Sequence, residues 1–414
     1  MEVAEYISFP LSVLLCVALL LCVVLTAWSD RRWLHVVRRP WWAAVLLGLF
    51  AVLNMAGGTW SMDIQHRIIL YINVLLMTWS LGVVTVDRKK QIPVMLLHGG
   101  LFLVLAGGMF GAGDKTDGQT MLHYGQPAHT AYRTDGERIA LPFDLQIDTF
   151  FVDYYPDGRS PKQYTTRFTL HTQEETLQME TSVNRPCRYR GYRFYQSSYD
   201  PVGNAYSVLK VVRDPWLPVV WLGVAMLFIG ACWQIARQWR SRWLLAAVVA
   251  VGVLFTVVTV AKINFGTLVP ALRSAWFVPH IGVYMLAYSA LAIALGAGIL
   301  IPWRNTFPLM MRLVQTASCL LLVGMLCGAV WAQQAWGDYW AWDPKECWAA
   351  ATWMLTLAAI HIGQKDKGQR IKDKRLITIV LLLVLLAFAA MQMTWYGVNY
   401  LPSAAESLHT YTME

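Results

Sequence analysis

The chain has 414 residues, 57% of them hydrophobic and only 14% charged, with a formal net charge of +9. That balance excludes an ordinary soluble domain and fits a polytopic membrane protein with one polar insert. The positive charge falls in short clusters between apolar runs, with no basic patch that interleaves aromatics, so a nucleic-acid partner is set aside.

Runs of about 18 to 22 apolar residues can cross the hydrocarbon core. Ten are read along the chain, over 7–28, 41–57, 68–86, 92–110, 216–235, 243–261, 279–300, 310–332, 348–363 and 376–396. The first is too long for a signal-peptide core and follows Glu2 and Glu5 rather than positive charge, so it reads as a retained membrane helix. Basic clusters occur at Arg31, Arg32, Arg38 and Arg39, at Arg88 to Lys90, at Arg237, Arg240 and Arg242, and from Lys365 to Arg375. The positive-inside rule makes these cytoplasmic, and the Arg304 and Arg312 loop with them. Both termini, the loops 58–67, 262–278 and 333–347, and the polar insert at 111–215 are then expected outside.

The insert opens with "GAGDKTDG", read as flexible. "LPFDLQIDTFFVDYY" follows, ending in a Pro156 to Gly158 turn, and then "QYTTRFTLHTQ", "TLQMETSV", "YRFYQSSYD" and "AYSVLKVVRD". Their Tyr, Thr, Val and Phe content reads as strands. The expected fold is a polytopic α-helical membrane protein of about ten transmembrane helices with a small extracytoplasmic β domain. The expected divisions are a four-helix membrane region at 1–110, the β-rich domain at 111–215 and a second membrane region at 216–414. Seven cysteines are scattered without any CxxC, which argues against a redox dithiol or a covalently attached c-type haem in this chain.

Five histidines, His35, His66, His123, His129 and His171, read as solvated surface residues. His98 and His361 lie inside apolar runs, where an ionisable side chain is a functional hypothesis by default. By helical rise, His98 stands about 9 Å above the inner start of its run, and His361 about 20 Å below the outer start of its own. In a core about 30 Å thick the two come to matching depth. Such a pair suits the two axial positions of a haem b, or is two unrelated polar residues near helix ends. His280 opens the seventh run and His409 lies in the C-terminal tail; singly they read as interfacial and frayed-tail residues, and together as ligands of a second metal or haem.

Between the eighth and ninth runs lies "WGDYWAWDPKECW". An aromatic belt at the headgroup level explains Trp331 and Trp348. It explains less well why Trp336, Trp340 and Trp342 crowd one loop with Asp338, Asp343 and Glu346, whereas flat indoles suit the face of a planar macrocycle.

Trp336, Gly337, Trp340, Trp342, Asp343 and Glu346 fit WGxxWxWDxxE, and so resemble the tryptophan-rich signature of haem-handling proteins in cytochrome c maturation. "VPHIGVYMLAY" and "GVNYLPSAAESLHTY" resemble the external-histidine regions of the CcsA/ResC type, and "GYRFYQSSYDPVG" resembles its partner CcsB/ResB. Over nearly its whole length the chain resembles a natural fusion of the two, a System II cytochrome c synthase. The resemblance implies a haem-lyase-type enzyme of the bacterial cytoplasmic membrane. Haem b would be both cargo and substrate, ligated in transit by His98 and His361 and at the external site by His280 and His409. The loop residues Trp336, Trp340, Trp342, Asp343 and Glu346 would serve the chemistry. The tryptophans would present haem vinyl groups to the CxxCH thiols of an apocytochrome c, which a separate thiol-reducing protein keeps reduced. Asp343 and Glu346 would orient the loop, bind Lys345 or approach a haem edge. The rival readings are a di-haem membrane electron-transfer protein and a haem exporter or chaperone that makes no bond.

Overall fold

The computed structural model describes residues 8–29, 36–37, 39–60, 64–86, 91–203, 205–238, 242–261, 265–301, 306–363 and 373–403. Among these, ten α-helices form: α1 (Leu11–Trp28), α2 (Pro40–Thr59), α3 (Ile64–Val86), α4 (Ile92–Gly111), α5 (Leu217–Gln238), α6 (Arg242–Val260), α7 (Phe277–Ile299), α8 (Phe307–Trp336), α9 (Pro344–Gly363) and α10 (Lys374–Trp395). Eight are long and apolar enough to cross a membrane, and the protein is a polytopic helical membrane protein. The other two are α6, with an apolar stretch of Leu245–Val258, and α9. Helix α9 carries Lys345, Glu346, two threonines and His361, and spends its polarity against protein. Thr352 and Thr356 are buried and bond the carbonyls of Trp348 and Trp353. It lies against α2, α8 and α10.

The N-terminal and C-terminal helices interlock. Helix α2 packs along α9, and α5 packs on both α4 and α8. The main core runs through these helices, from Phe50 on α2 to Leu313 and Leu321 on α8 and Trp353 on α9. Helix α1 is peripheral, with most of its apolar side chains exposed, as a lipid-facing helix requires.

Between α4 and α5 the chain forms one antiparallel sheet of eight strands: β1 (Thr116–His123), β2 (Ala128–Tyr132), β3 (Arg138–Tyr154), β4 (Pro161–His171), β5 (Thr176–Ser182), β6 (Cys187–Tyr189), β7 (Tyr192–Tyr199) and β8 (Tyr206–Arg213). The spatial order is β5-β4-β3-β2-β1-β8-β7-β6. One face encloses Leu122, Phe143, Leu145, Phe168, Phe194 and Leu209. The sheet curls so that its two flanks meet, Thr181 Oγ1 on β5 donating to the Phe194 carbonyl of β7 at 2.8 Å.

The stretch read as flexible, residues 111–118, is instead ordered: Gly111 ends α4, Ala112–Asp114 make a 3-10 turn, and Thr116 to Gly118 begin β1. Thr116 to His123 pair with Arg213 to Tyr206 along their whole length, so Thr116, Asp117 and Gly118 are fixed by ladder bonds that no local sequence signal reveals. Because the first and last strands are neighbours, the sheet leaves side by side onto α4 and α5. It therefore sits directly on the bundle end where α8 stops and α9 begins.

His66 is not in a loop; it stands in the first turn of α3 and donates from Nε2 to the Leu53 carbonyl at 2.8 Å. His35 and His409 lie outside the described residues.

Candidate functional site

His98 on α4 and His361 on α9 face one another, with ring centroids 6.3 Å apart and planes at 69°. Each Nδ1 lies 2.8 Å from a carbonyl one turn back, Val94 for His98 and Leu357 for His361. A carbonyl only accepts, so each Nδ1 carries a proton, which in a neutral imidazole leaves the lone pair on Nε2. That is the tautomer of a metal-ligating histidine, whose other nitrogen characteristically donates to a backbone carbonyl or carboxylate. With metal–imidazole bonds of about 2 Å, two axial rings stand on the order of 6 Å apart centre to centre, which the pair matches. Among the described residues no cluster of three or more His, Cys, Asp or Glu could hold a bare ion. Two facing imidazoles suit instead an iron whose other ligands come with a macrocycle.

At the β-domain end of the bundle, His280 lies in the first turn of α7 and also donates from Nδ1, across to the Gly324 carbonyl of α8 at 2.9 Å. The Cε1–Nδ1 edge of its ring lies against α8 at Gly328, where a Cβ would stand 2.7 Å from Cε1 and 2.8 Å from Nδ1. Only glycine leaves that room. Tyr284 and Trp331 flank the imidazole at 4.9 and 6.0 Å.

Helix α8 is 30 residues long. At 1.5 Å per residue it measures about 45 Å, enough to cross the core and its headgroup layers. The external loop expected over 333–347 is therefore shorter: Trp336 is still helical, Gly337 ends α8 with φ +88°, and Pro344 already begins α9. Trp340 and Trp342 do not lie open as a flat external platform. They pack edge to face at 5.9 Å, partly buried against the helical core, and Trp342 reaches Phe50 of α2 at 6.3 Å. Apolar indoles at the edge of a bundle find more contact inside than in water. Trp342 has φ +60°, which for a bulky residue costs on the order of 1–3 kcal/mol and persists only where neighbours enforce it. The indole Nε1 atoms of Trp340 and Trp348 are buried with no hydrogen-bond partner among the described residues. An orphaned donor of that kind costs about 1–3 kcal/mol, and a ligand acceptor would relieve it.

Asp343 and Glu346 have a backbone role. Asp343 accepts from the Glu346 N–H at 2.8 Å, and Glu346 Oε2 accepts from the N–H groups of Ala341 at 2.7 Å and Asp343 at 3.3 Å. This is a capping box with Pro344 as the first helical residue, and the Glu346 carboxylate complements the helix dipole. It fixes the strained turn from the α9 side, where Cys347 Sγ also donates to the Trp342 carbonyl at 3.3 Å. The tail beyond α10 is fastened before it leaves the described residues. Val398 is fully buried, and Ser403 donates to the Gly58 carbonyl of α2 at 2.8 Å, so the tail is held by more than its own sparse apolar residues.

Asp338, which the sequence showed only as one of the loop's acidic residues, stands at an unspecified position within the tryptophan signature and was given no role. Its carboxylate contacts Lys115 and lies 2.5 Å from Lys210. Burial acts against its charge, but the two ammonium groups and their hydrogen bonds hold it below the ordinary carboxylate range. Lys115 shows the converse: burial opposes its charge, yet Asp338 and Asp117 keep it above the ordinary lysine value. Next to Asp338, burial pushes the Tyr339 hydroxyl up to about 12, with the charge of Asp214 adding to it.

Residues 214–403 match the family described as cytochrome C assembly protein, and residues 88–205 match the ResB-like family. A cytochrome c biogenesis protein CcsA of Guillardia theta is 29% identical over a match covering 53% of this chain and 79% of that relative. CcsA proteins of Prochlorococcus marinus (strain MIT 9215) and Chlamydomonas reinhardtii are each 33% identical over 35% of this chain. In these two the chain spans about half of the relative's own length, 56% and 42%.

Proposed function

The chain joins a ResB-like region to a cytochrome c assembly region in one polypeptide, the make-up of a CcsBA/ResBC-type System II fusion that takes part in cytochrome c biogenesis, and from that premise we propose that it moves haem across a membrane and attaches it to the CxxCH thiols of an apocytochrome c. The observation that carries this reading is the hydrogen-bond pattern of the histidines. His98, His361 and His280 each direct Nδ1–H to a backbone carbonyl at 2.8–2.9 Å, the preparation an iron ligand needs.

His98 and His361 hold haem near the end of the bundle opposite the β domain, which the basic loops make the cytoplasmic side of a bacterial inner membrane. Haem b then passes to the β-domain end. There His280 takes one axial position and His409, beyond the described residues, the other. Trp336, Trp340 and Trp342 lie against the macrocycle, and the orphaned Trp340 Nε1 suits a polar group on its edge. Asp343 and Glu346 fix the turn and transfer no proton.

At this site a cysteine S–H adds across a vinyl C=C: sulfur bonds to the carbon next to the ring and the proton goes to the terminal carbon. Two such additions make two thioethers with no net oxidation, so the protein supplies proximity and orientation. A disulfide cannot add in this way, hence the need for a reductant of the apoprotein's thiols. The test is co-expression with a CxxCH apoprotein in a host without its own maturation system. Covalent haem on the product is expected. Haem-loaded synthase beside an unmodified apoprotein would reduce the role to export.

A further inference from the structure

Asp338 stands between the left-handed glycine that ends α8 and the tryptophans of the turn. Its two carboxylate oxygens are held by different lysines: Lys115, just before β1, on Oδ1 and Lys210, on β8, at 2.5 Å from Oδ2. Both lysines also hold Asp117, at 2.7 and 3.3 Å. The four charges cancel, and the side chains of Lys115, Lys210 and Asp338 are only 17–25% exposed. Lys115 lies in the ResB-like region and Asp338 in the assembly region, so the cluster joins the two.

We propose that Asp338 is a positioning residue for haem attachment, clamping the tryptophan turn to the β domain so that Trp340 and Trp342 stay in register with His280. This rests on the attachment reading given above. The capping box fixes the turn from the α9 side. On the α8 side, Gln333 donates to the Tyr195 hydroxyl at 2.9 Å, and Gly337 lies so close to Tyr195 and Val212 that a Cβ would stand 3.0 Å from each. Asp338 adds the charged tie of that segment.

The same domain also grips the segment leading to His280. Tyr155 donates to the Leu268 carbonyl at 3.0 Å, Asn184 to the carbonyls of Pro270 and Ala271 at 3.0 Å, and Arg273 back to the Lys162 carbonyl at 3.0 Å. Trp331 Nε1, beside His280, donates to the same Ala271 carbonyl at 3.1 Å. One sheet therefore holds both lips of the site, and their separation is set by strand geometry rather than by the helices alone. A carboxylate gripped from two sides by cations resists sideways movement in a way a single exposed ion pair does not.

Asp338→Asn keeps the shape and removes the charge. In the co-expression assay it should lower covalent haem on the apoprotein roughly tenfold, with expression and the haem held by His98 and His361 unchanged. Asp338→Glu should recover most of the loss. Lys115→Met with Lys210→Met should be worse than Asp338→Asn, because Asp117 and Asp338 are then left facing each other. A readout independent of attachment is labelling of an Ala341→Cys variant by an impermeant thiol reagent, which should quicken several-fold when combined with Asp338→Asn. An inactive parent chain would sink the attachment reading, with labelling still deciding the clamp. Unchanged yield and unchanged labelling in Asp338→Asn would overturn the proposal. So would loss of the His98–His361 haem that Asp338→Glu fails to restore, since that marks a role in the whole fold.

Discussion

The two histidine-bearing regions are built in opposite ways. The pair at His98 and His361 needs one residue from each of two helices, and each ring is oriented by a carbonyl four residues away on its own helix. The tryptophan end is assembled from α2, α7, α8, α9, the β domain and the tail. Its defining bonds join residues 44, 128, 223 and 345 positions apart: His280 to Gly324, Lys210 and Lys115 to Asp338, and Ser403 to Gly58. A site made of local bonds inherits its geometry from the helix. One made of distant bonds depends on the whole fold being closed, and can be loosened without damaging the other.

The largest effect should come from the simple site, because on the proposed route haem passes it first. His98→Ala or His361→Ala should deplete haem at both ends and lower holocytochrome yield by more than about tenfold, to be read by acid-acetone extraction and by covalent haem staining. Added imidazole should restore part of the loss by filling the empty axial position. Next, Gly328→Val should push the His280 ring off α8, where a Cβ already stands 2.7 Å from it. Haem at the tryptophan end should fall severalfold while the His98–His361 haem stays. Equal loss at both ends would show that the two regions are not separable.

Weaker effects should follow from the cap of α9. Asp343→Ala removes one side of the capping box, a change worth about 1 kcal/mol in other helices. A loss of a few-fold in attachment rate is expected, with Asp343→Asn nearly neutral because its oxygen still accepts. If Asp343→Asn were as inactive as a catalytic knockout, a proton-transfer role would have to be reconsidered. The smallest effect should be that of pH on the β-domain clamp. Asp338 is held below the ordinary value of 3.8, so its stabilisation is full above about pH 4 and is lost as pH falls through the lowered value. Lys115 is raised above 10.5, so its share is full below about that pH and is lost as pH rises through the raised value. Labelling at an Ala341→Cys site, corrected for thiolate ionisation, should be flat between those limits. A step near pH 7 would contradict the assignment.

The same contrast explains what the sequence disclosed. Apolar runs placed all ten helices, since hydrocarbon leaves little choice of backbone, and helical rise alone predicted that His98 and His361 come level. The tryptophan signature located the turn. The course of the turn was not legible: that α8 runs on to Trp336 and that Trp342 dips towards Phe50 are consequences of packing, whereas the Asp343–Glu346 cap of α9 is a local pattern that the sequence does carry. Strand β1 was missed for a similar reason, since Thr116 to Gly118 become a strand only by pairing with residues near 211–213. Asp338 looked like one more acidic residue because its lysines lie far away in the chain.

The central claim is that His98 and His361 ligate one haem from two facing helices, independently of the tryptophan end. The most direct measurement is the electron paramagnetic resonance spectrum of purified Gly328→Val protein in the oxidised state, with and without His361→Ala. The account predicts a low-spin signal of two imidazole ligands in the first, and its replacement by a high-spin signal or by loss of haem in the second. A low-spin signal unmoved by His361→Ala would contradict it.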